Sequence, residues 1–198
     1  MHRIQCMCGS VGGRIEGSGL HNRGICHCTD CRAFARFLGK GEEVLDAQGG
    51  TEIVQLAQWR LRFERGEEHL AAVRLSTKGI LRWYAACCRT PIGNTLPTRR
   101  VSVIGLVHAC LDAQRLDEDF GNGVAIVHAG SALGSPKPRS HGMLGASARL
   151  IGIIGAALIT GRYRRSPLFD DSGAPRVVPR VLTAEELAEL KADPGAPA

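Results

Sequence analysis

The sequence predicts a mainly β, loop-rich protein organised around cysteine-bound zinc, with helices confined mostly to its second half. Three observations carry that expectation. Seven of the eight cysteines fall in three short knots. Residues 51–84 alternate apolar and polar side chains with the period of half-buried strands. Residues 142–161 are apolar and small, with Gly and Ala at positions that allow close approach of a neighbour.

The composition suits a packed domain: 44% hydrophobic residues against 22% charged, in a chain of 198 residues, which is room for one core and an appendage. Aromatic residues are only 5% while glycines number 25, which favours small strands and turns over a large aromatic core. The net charge of +6 lies in the first half, where residues 1–100 hold 15 Lys and Arg against 9 Asp and Glu. No stripe of base-stacking aromatics accompanies that charge, so solvated arginines are expected rather than a nucleic-acid surface. The first residues, Met1-His2-Arg3-Ile4-Gln5-Cys6, contain no apolar run of signal-peptide length, so the expected compartment is the cytoplasm. Thiols kept reduced there and clustered in sequence point to a metal rather than to disulfides.

Along the chain, Cys6 to Glu16 reads as a tight turn followed by a short strand. Gly17-Ser18-Gly19 is a turn, Cys26 to Cys31 a loop, and Ala33 to Leu38 a short helix or turn. Strands are expected around Ile53 and Gln55, from Trp59 to Glu64, from Leu70 to Leu75 and from Ile80 to Tyr84. The last two are joined by the hairpin turn Ser76-Thr77-Lys78-Gly79. Val101 to Val107 and Val124 to Val127 are further apolar runs. Residues 142–161 predict a helix packed on the protein or on a second copy of it, because its uninterrupted apolar stretch, Leu150 to Ile159, is too short for a bilayer and Arg149 bounds it on one side. Thr183-Ala184-Glu185-Glu186 has the pattern of a capping box opening a helix to about Lys191. Residues from Asp193 onward read as a frayed tail.

The knots are Cys6-x-Cys8, Cys26-x-Cys28-x-x-Cys31 and Cys87-Cys88. Zinc takes thiolates at about 2.3 Å in a tetrahedron, and short loops gather two or three sulfurs at one point. Three protein ligands with an open corner describe a catalytic site, four a structural one. The middle knot supplies three ligands. Cys6 and Cys8 need partners from far along the chain, and the Cys87-Cys88 corner is the natural source. Cys110 reads as an inert buried thiol, His27 and Asp30 as solvent-facing fillers of the loop, and His108 and His128 as satisfied core or edge histidines.

The runs Cys6-Met7-Cys8-Gly9-Ser10-Val11, Cys26-His27-Cys28-Thr29-Asp30-Cys31-Arg32 and Cys88-Arg89-Thr90-Pro91 together resemble, in order, the three signatures of the glutathione-dependent formaldehyde-activating enzymes and centromere protein V. The resemblance covers residues 3–96. It implies a zinc-stapled, Mss4-like tent of small antiparallel sheets, with residues 97–198 as an α/β extension carrying helices near 142–161 and 183–191. It also implies one or two zinc ions. Cys26, Cys28 and Cys31 would form the open, catalytic site, and Cys6 and Cys8 half of the structural one. The implied activity is that of a carbon–sulfur lyase acting on the formaldehyde adduct of glutathione or another small thiol. The last signature departs from the family, which has Cys-x-x-Cys-Gly where this chain has Ala85-Ala86-Cys87-Cys88-Arg89. Cys88 takes the second cysteine's place, leaving the fourth ligand to Cys87, Cys110 or water. The rival reading is a non-catalytic zinc module that meets a partner protein or a membrane surface.

Overall fold

The structure, a computed structural model, describes residues 1–192. Eleven strands and five α-helices follow one another along the described residues. They are β1 (His2–Gln5), β2 (Gly12–Ile15), β3 (His21–Cys26), α1 (Thr29–Phe37), α2 (Gly41–Val44), β4 (Thr51–Ala57), β5 (Leu61–Arg65), β6 (Leu70–Arg74), β7 (Leu81–Ala85) and β8 (Thr90–Thr95). The second half adds β9 (Val103–Val107), α3 (Leu116–Phe120), β10 (Ala125–Val127), α4 (Met143–Ile159), β11 (Arg180–Val181) and α5 (Ala184–Lys191). The mainly β expectation holds.

The strands form two sheets. A three-stranded antiparallel sheet runs β1-β2-β5, and an eight-stranded sheet runs β10-β3-β4-β9-β8-β7-β6-β11. The larger sheet is antiparallel through its middle and parallel only where β10 meets β3 and β11 meets β6. Strand β9 lies between β4 and β8, so both halves of the chain build that sheet.

Alternation along the strands divides the core into two sides. Val54 and Leu56 of β4, Leu81 and Trp83 of β7, and Ile104 and Leu106 of β9 face the small sheet, where Ile4, Ile15, Leu61 and Phe63 complete the principal core. Trp83 is fully buried, donates through Nε1 to Thr95 Oγ1 at 2.9 Å and meets Phe169 edge-on. The opposite face is covered by helices. Phe34 and Leu38 pack with Val73, Leu75 and Leu182, while Ile153 of α4 packs with Ala57 and Val103.

Several elements depart from expectation for identifiable reasons. Residues 59–64 are not one strand: Gln58–Arg60 is a 3₁₀ turn carrying the chain from β4 to β5, one sheet to the other. Arg60 holds that corner by donating to the carbonyls of Glu16, Gly17 and Gly19 at 3.1, 2.8 and 3.3 Å. Strands β1 and β3 have no counterpart among the expected elements. In β3 the buried residues are Asn22 and Cys26, and Arg23 is neutralised by Glu52 and Asp117, so polar side chains occupy positions where a pattern search expects apolar ones. Cys26, Cys28 and Cys31 do not share a loop: Cys26 ends β3, Cys28 caps α1 and Cys31 stands in its first turn.

The long apolar helix and the capped C-terminal helix are as expected. Thr183 Oγ1 accepts from the Glu186 amide at 3.2 Å and the Glu186 carboxylate accepts from the Thr183 amide at 2.8 Å. Among the described residues no helix is long and apolar enough to cross a membrane. The expected tail from Asp193 lies outside the described residues.

Candidate metal centres

Seven cysteines converge on two points. Cys6 and Cys8, in the turn between β1 and β2, meet Cys87 and Cys88, in the turn between β7 and β8; every sulfur lies within 4.8 Å of the others. A tetrahedral metal with bonds of about 2.3 Å to sulfur requires edges of about 3.8 Å between the sulfurs. The separations Cys6–Cys8, Cys6–Cys87, Cys8–Cys87 and Cys87–Cys88 are 3.5, 3.9, 3.4 and 3.8 Å. The adjacent pair therefore fits, and Cys87 completes the cluster. Cys110 does not join it. That thiol is buried, lies 3.2 Å from the Val107 carbonyl and 3.4 Å from that of Ile92, and is pushed up to about 12 by burial.

The corner that delivers Cys87 and Cys88 is backbone-strained. Arg89 has a positive φ of 59°, where a Cβ is disfavoured, and its amide donates to the Ala85 carbonyl at 2.8 Å. Its guanidinium lies over the Phe37 ring and donates to the Phe37 carbonyl, which ties the corner to α1. Thr90 joins the two turns: its Oγ1 accepts from the Met7 amide at 2.9 Å and lies 3.0 Å from Cys88 Sγ. Hydrogen bonds from the side chain and backbone of Ser10 lower the Cys8 thiol to about 6, while desolvation and the facing cysteines push Cys87 up to about 12.

The second cluster has three members. Cys26, Cys28 and Cys31 also hold their sulfurs within 4.8 Å of one another. Cys28 is the N-cap of α1, with its Sγ accepting from the Cys31 amide at 3.4 Å, so the helix terminus favours its thiolate. Hydrogen bonds from Cys26 and then Cys31 lower Cys28 to about 2, and the charge of Arg82 adds to this. Cys31 moves far the other way, through its contacts with Cys26 and Cys28 and through burial, and Cys26 is raised chiefly by Cys28. The three thiols therefore oppose one another's ionisation, and a dication is what would let all three ionise. Both clusters fit a metal ion, and four sulfurs in one against three in the other leaves only the second with an open corner.

That corner gives onto a cavity of about 340 Å³ lined by all three cysteines. Its floor is the large sheet and one wall is α4, through Leu150 and Ile154. The lining is apolar except for Gln55, Arg82, Asn94 and Thr95. Arg82 is buried, lies over the Phe34 ring and donates to Asn94 Oδ1 at 3.2 Å. Apart from the cysteines, none of the polar lining residues was singled out from the sequence as part of a site. The available signal was a lone arginine in the apolar strand Leu81-Arg82-Trp83-Tyr84-Ala85.

The residues beside the knot behave differently from one another. Asp30 faces solvent and pairs with Lys191 at 2.7 Å. His27 is not a solvent-facing filler: it is only 2% exposed, wedged against Gly50, with Nδ1 3.4 Å from the Gln48 carbonyl. Arg32 fixes the backbone here, donating to the His27 carbonyl and the Ser131 carbonyl, both at 2.8 Å. His108 is partly buried with Nδ1 3.3 Å from the Glu52 carbonyl, and His128 is exposed at the end of β10.

With the two clusters in place, a family assignment is available. The model of a family of unknown function, DUF6151, matches residues 1–178. The chain belongs to this family. No curated protein matches this DUF6151 chain. A crystal structure described only as a Rhodobacter sphaeroides protein is 21% identical to it, with a TM-score of 0.39, over 56% of this chain and 88% of that one.

Proposed function

We propose that this protein binds zinc at both cysteine clusters, and that the open cluster binds a small thiol and makes or breaks a carbon–sulfur bond in that thiol's formaldehyde adduct. The observation that carries this reading is the three-cysteine cluster set in the wall of an apolar cavity. The likeness of the three cysteine signatures to the formaldehyde-activating enzymes supports the choice of reaction. In this reading residues 3–96 carry the metal ligands, and residues 97–198 supply β9 and the α4 wall.

When bound at Cys26, Cys28 and Cys31, zinc would supply a positive charge that lets a thiol bind in its ionised form near neutral pH. The residues around it do the rest. Arg82 places a cation beside the anionic sulfurs, and Leu150 and Ile154 help to keep water out of the cavity. The chemistry balances without a redox partner. The thiol proton leaves to solvent, and the sulfur electron pair forms the bond to the formaldehyde carbon. The carbonyl π pair moves to oxygen, which takes a proton from water. The product is the S-hydroxymethyl thiol, and the reverse reaction retraces these steps. Holding sulfur and carbonyl together suffices for an addition this facile.

The test is purified protein, under reducing conditions and without chelator, incubated with formaldehyde and glutathione or simple thiols while adduct is followed directly. One to two zinc ions per chain and a saturable rate above the uncatalysed reaction are expected, with the rate lost in Cys28→Ala. Protein free of metal, or a rate equal to the uncatalysed one with every thiol, rejects the reading.

One observation favours a non-catalytic module instead. The outward side of α4 exposes Leu144, Ile151 and Ile159 at 88, 71 and 88%. Arg162, Arg164 and Arg165 follow, with no acidic residue between Asp119 and Asp170. That combination suits an anionic membrane surface. Co-sedimentation with anionic vesicles, reversed by salt, together with no thiol binding, would favour this alternative.

A further inference from the structure

We infer that Gln55 and Asn94 form a two-donor site for a ligand oxygen in the floor of the cavity, and that its ligand is a compact apolar thiol bearing one acceptor oxygen rather than a multiply charged peptide thiol. The inference rests on the reading of the three-cysteine cluster as a thiol-binding metal site. It begins with register. Asn22 of β3 pairs with Gln55 of β4, Gln55 with Gly105 of β9, Gly105 with Asn94 of β8, and Asn94 with Arg82 of β7. One row across five strands is therefore polar except at its centre, where a glycine leaves a gap between two amides.

The amides in that row have only one consistent orientation. Arginine donates and never accepts, so each arginine at the row fixes the oxygen end of the amide it touches. Arg82 donates to Asn94 Oδ1 at 3.2 Å, which leaves Asn94 Nδ2 as the other end. Arg149 donates to Asn22 Oδ1 at 2.8 Å, so Asn22 Nδ2 donates, at 2.9 Å to the Ala146 carbonyl and at 3.2 Å to Gln55 Oε1. That in turn leaves Gln55 Nε2 as a donor. Among the described residues neither Gln55 Nε2 nor Asn94 Nδ2 has a hydrogen-bond partner, and both residues line the cavity that the three cysteines line. Two oriented donors flanking Gly105 are a receptor for an oxygen that carries or develops negative charge. Arg82 adds a cation on the same side.

The rest of the lining sets the body of the ligand. Arg82 is its one charged residue, and its charge already faces the cysteines. Glutathione brings two carboxylates and an ammonium group; the two amide donors could take one carboxylate, but the lining holds no second cation and no acidic residue for the remaining charges. An apolar body against Ile53, Val103, Leu150 and Ile154 carries no such penalty.

The experiment is calorimetric titration of the zinc-loaded protein with three probes: 2-mercapto-1-phenylethanol, 2-phenylethanethiol and glutathione. The expected order is tightest for the first, about tenfold weaker for the second, which lacks the oxygen, and weaker again for glutathione. Asn94→Leu should bring the first two probes within about twofold of each other while leaving 2-phenylethanethiol almost unchanged. Because Asn94→Leu also frees Arg82, Gly105→Ala provides a second arm. A Cβ there would lie 3.7 Å from Gln55 Cγ and 3.8 Å from Ile53 Cδ1, contacts the strand accommodates, yet it would occupy the gap between the donors. It too should erase the preference. Equal affinity of the two aromatic thiols in the unaltered protein, or tightest binding of glutathione, overturns this inference and leaves the thiol site standing. Binding of no thiol at all overturns both.

Discussion

In the proposed reading the two cysteine clusters would put the same ligand atom to opposite ends, and the contrast lies in where their sulfurs come from. The four-cysteine cluster draws on two turns about eighty residues apart, one in the small sheet and one in the large sheet, so closing it fastens one sheet to the other. The three-cysteine cluster draws on six consecutive residues at a strand-to-helix junction, and its closure fastens nothing that β3 and α1 do not already hold. In the first, no protein side chain is left to add and the site borders the principal core through Cys6. In the second, a corner stays open toward a cavity. A distant ligand set makes metal binding a folding event, whereas a local set leaves the metal free for chemistry.

The largest effect should come from breaking the distant set. Cys8→Ala removes one ligand of the staple, and because metal affinity there is folding free energy the loss should exceed about 3 kcal/mol. For a chain of this size that corresponds to a fall in melting temperature of about 10 °C. Thermal melts with and without chelator give the comparison, and the variant should lose most of its chelator sensitivity. A variant as stable as the parent chain would show that the four sulfurs do not staple the sheets.

Breaking the local set should do less to stability and more to binding. Cys28→Ala removes both a ligand and the N-cap of α1, and the cap alone is worth about 1 kcal/mol. A fall of about 3 °C is expected, with the sheets intact, one zinc ion retained and thiol binding gone. Elemental analysis and titration with 2-phenylethanethiol read the two outcomes. If Cys28→Ala unfolds the protein while Cys8→Ala stays folded without binding thiol, the roles of the clusters are exchanged.

The same contrast explains what the sequence made legible. Close sulfur spacing is forced by bond lengths, so Cys26-x-Cys28-x-x-Cys31 could be recognised as one site before any fold was known. The β6–β7 hairpin was equally legible, because Leu81, Trp83 and Ala85 alternate with their neighbours and Ser76–Gly79 turns the chain. The fourth ligand was less so: the sequence pointed to the Cys87-Cys88 corner but left the last position open to Cys87, Cys110 or water, and it is the pairing of β7 with β8 that brings Cys87 to Cys6. The cavity floor was less legible still. Gln55, Gly105, Asn94 and Arg82 are unremarkable in sequence, and they become a row only through the register of four strands. His27 was misjudged because its ring is buried against Gly50, a long-range contact that its sequence neighbours do not announce.

The smallest expected effect tests whether the loop around the open cluster contributes an acid or base. Asp30 sits two residues from Cys28, where a carboxylate invites such a role. Its geometry argues otherwise, because it is about half exposed and turned to Lys191 of α5. A surface pair of this kind contributes at most about 1 kcal/mol, and a carboxylate in the first turn of a helix adds a few tenths more. Asp30→Asn should therefore lower the melting temperature by no more than about 3 °C. Zinc content and affinity for 2-phenylethanethiol should be unchanged, and so should the pH dependence of adduct formation. Lys191→Ala should reproduce the small stability change, since it removes the same pair from the other side. A pH profile that shifts in Asp30→Asn but not in Lys191→Ala would make Asp30 a proton-transfer group, and the local cluster would then owe its chemistry to more than its three sulfurs.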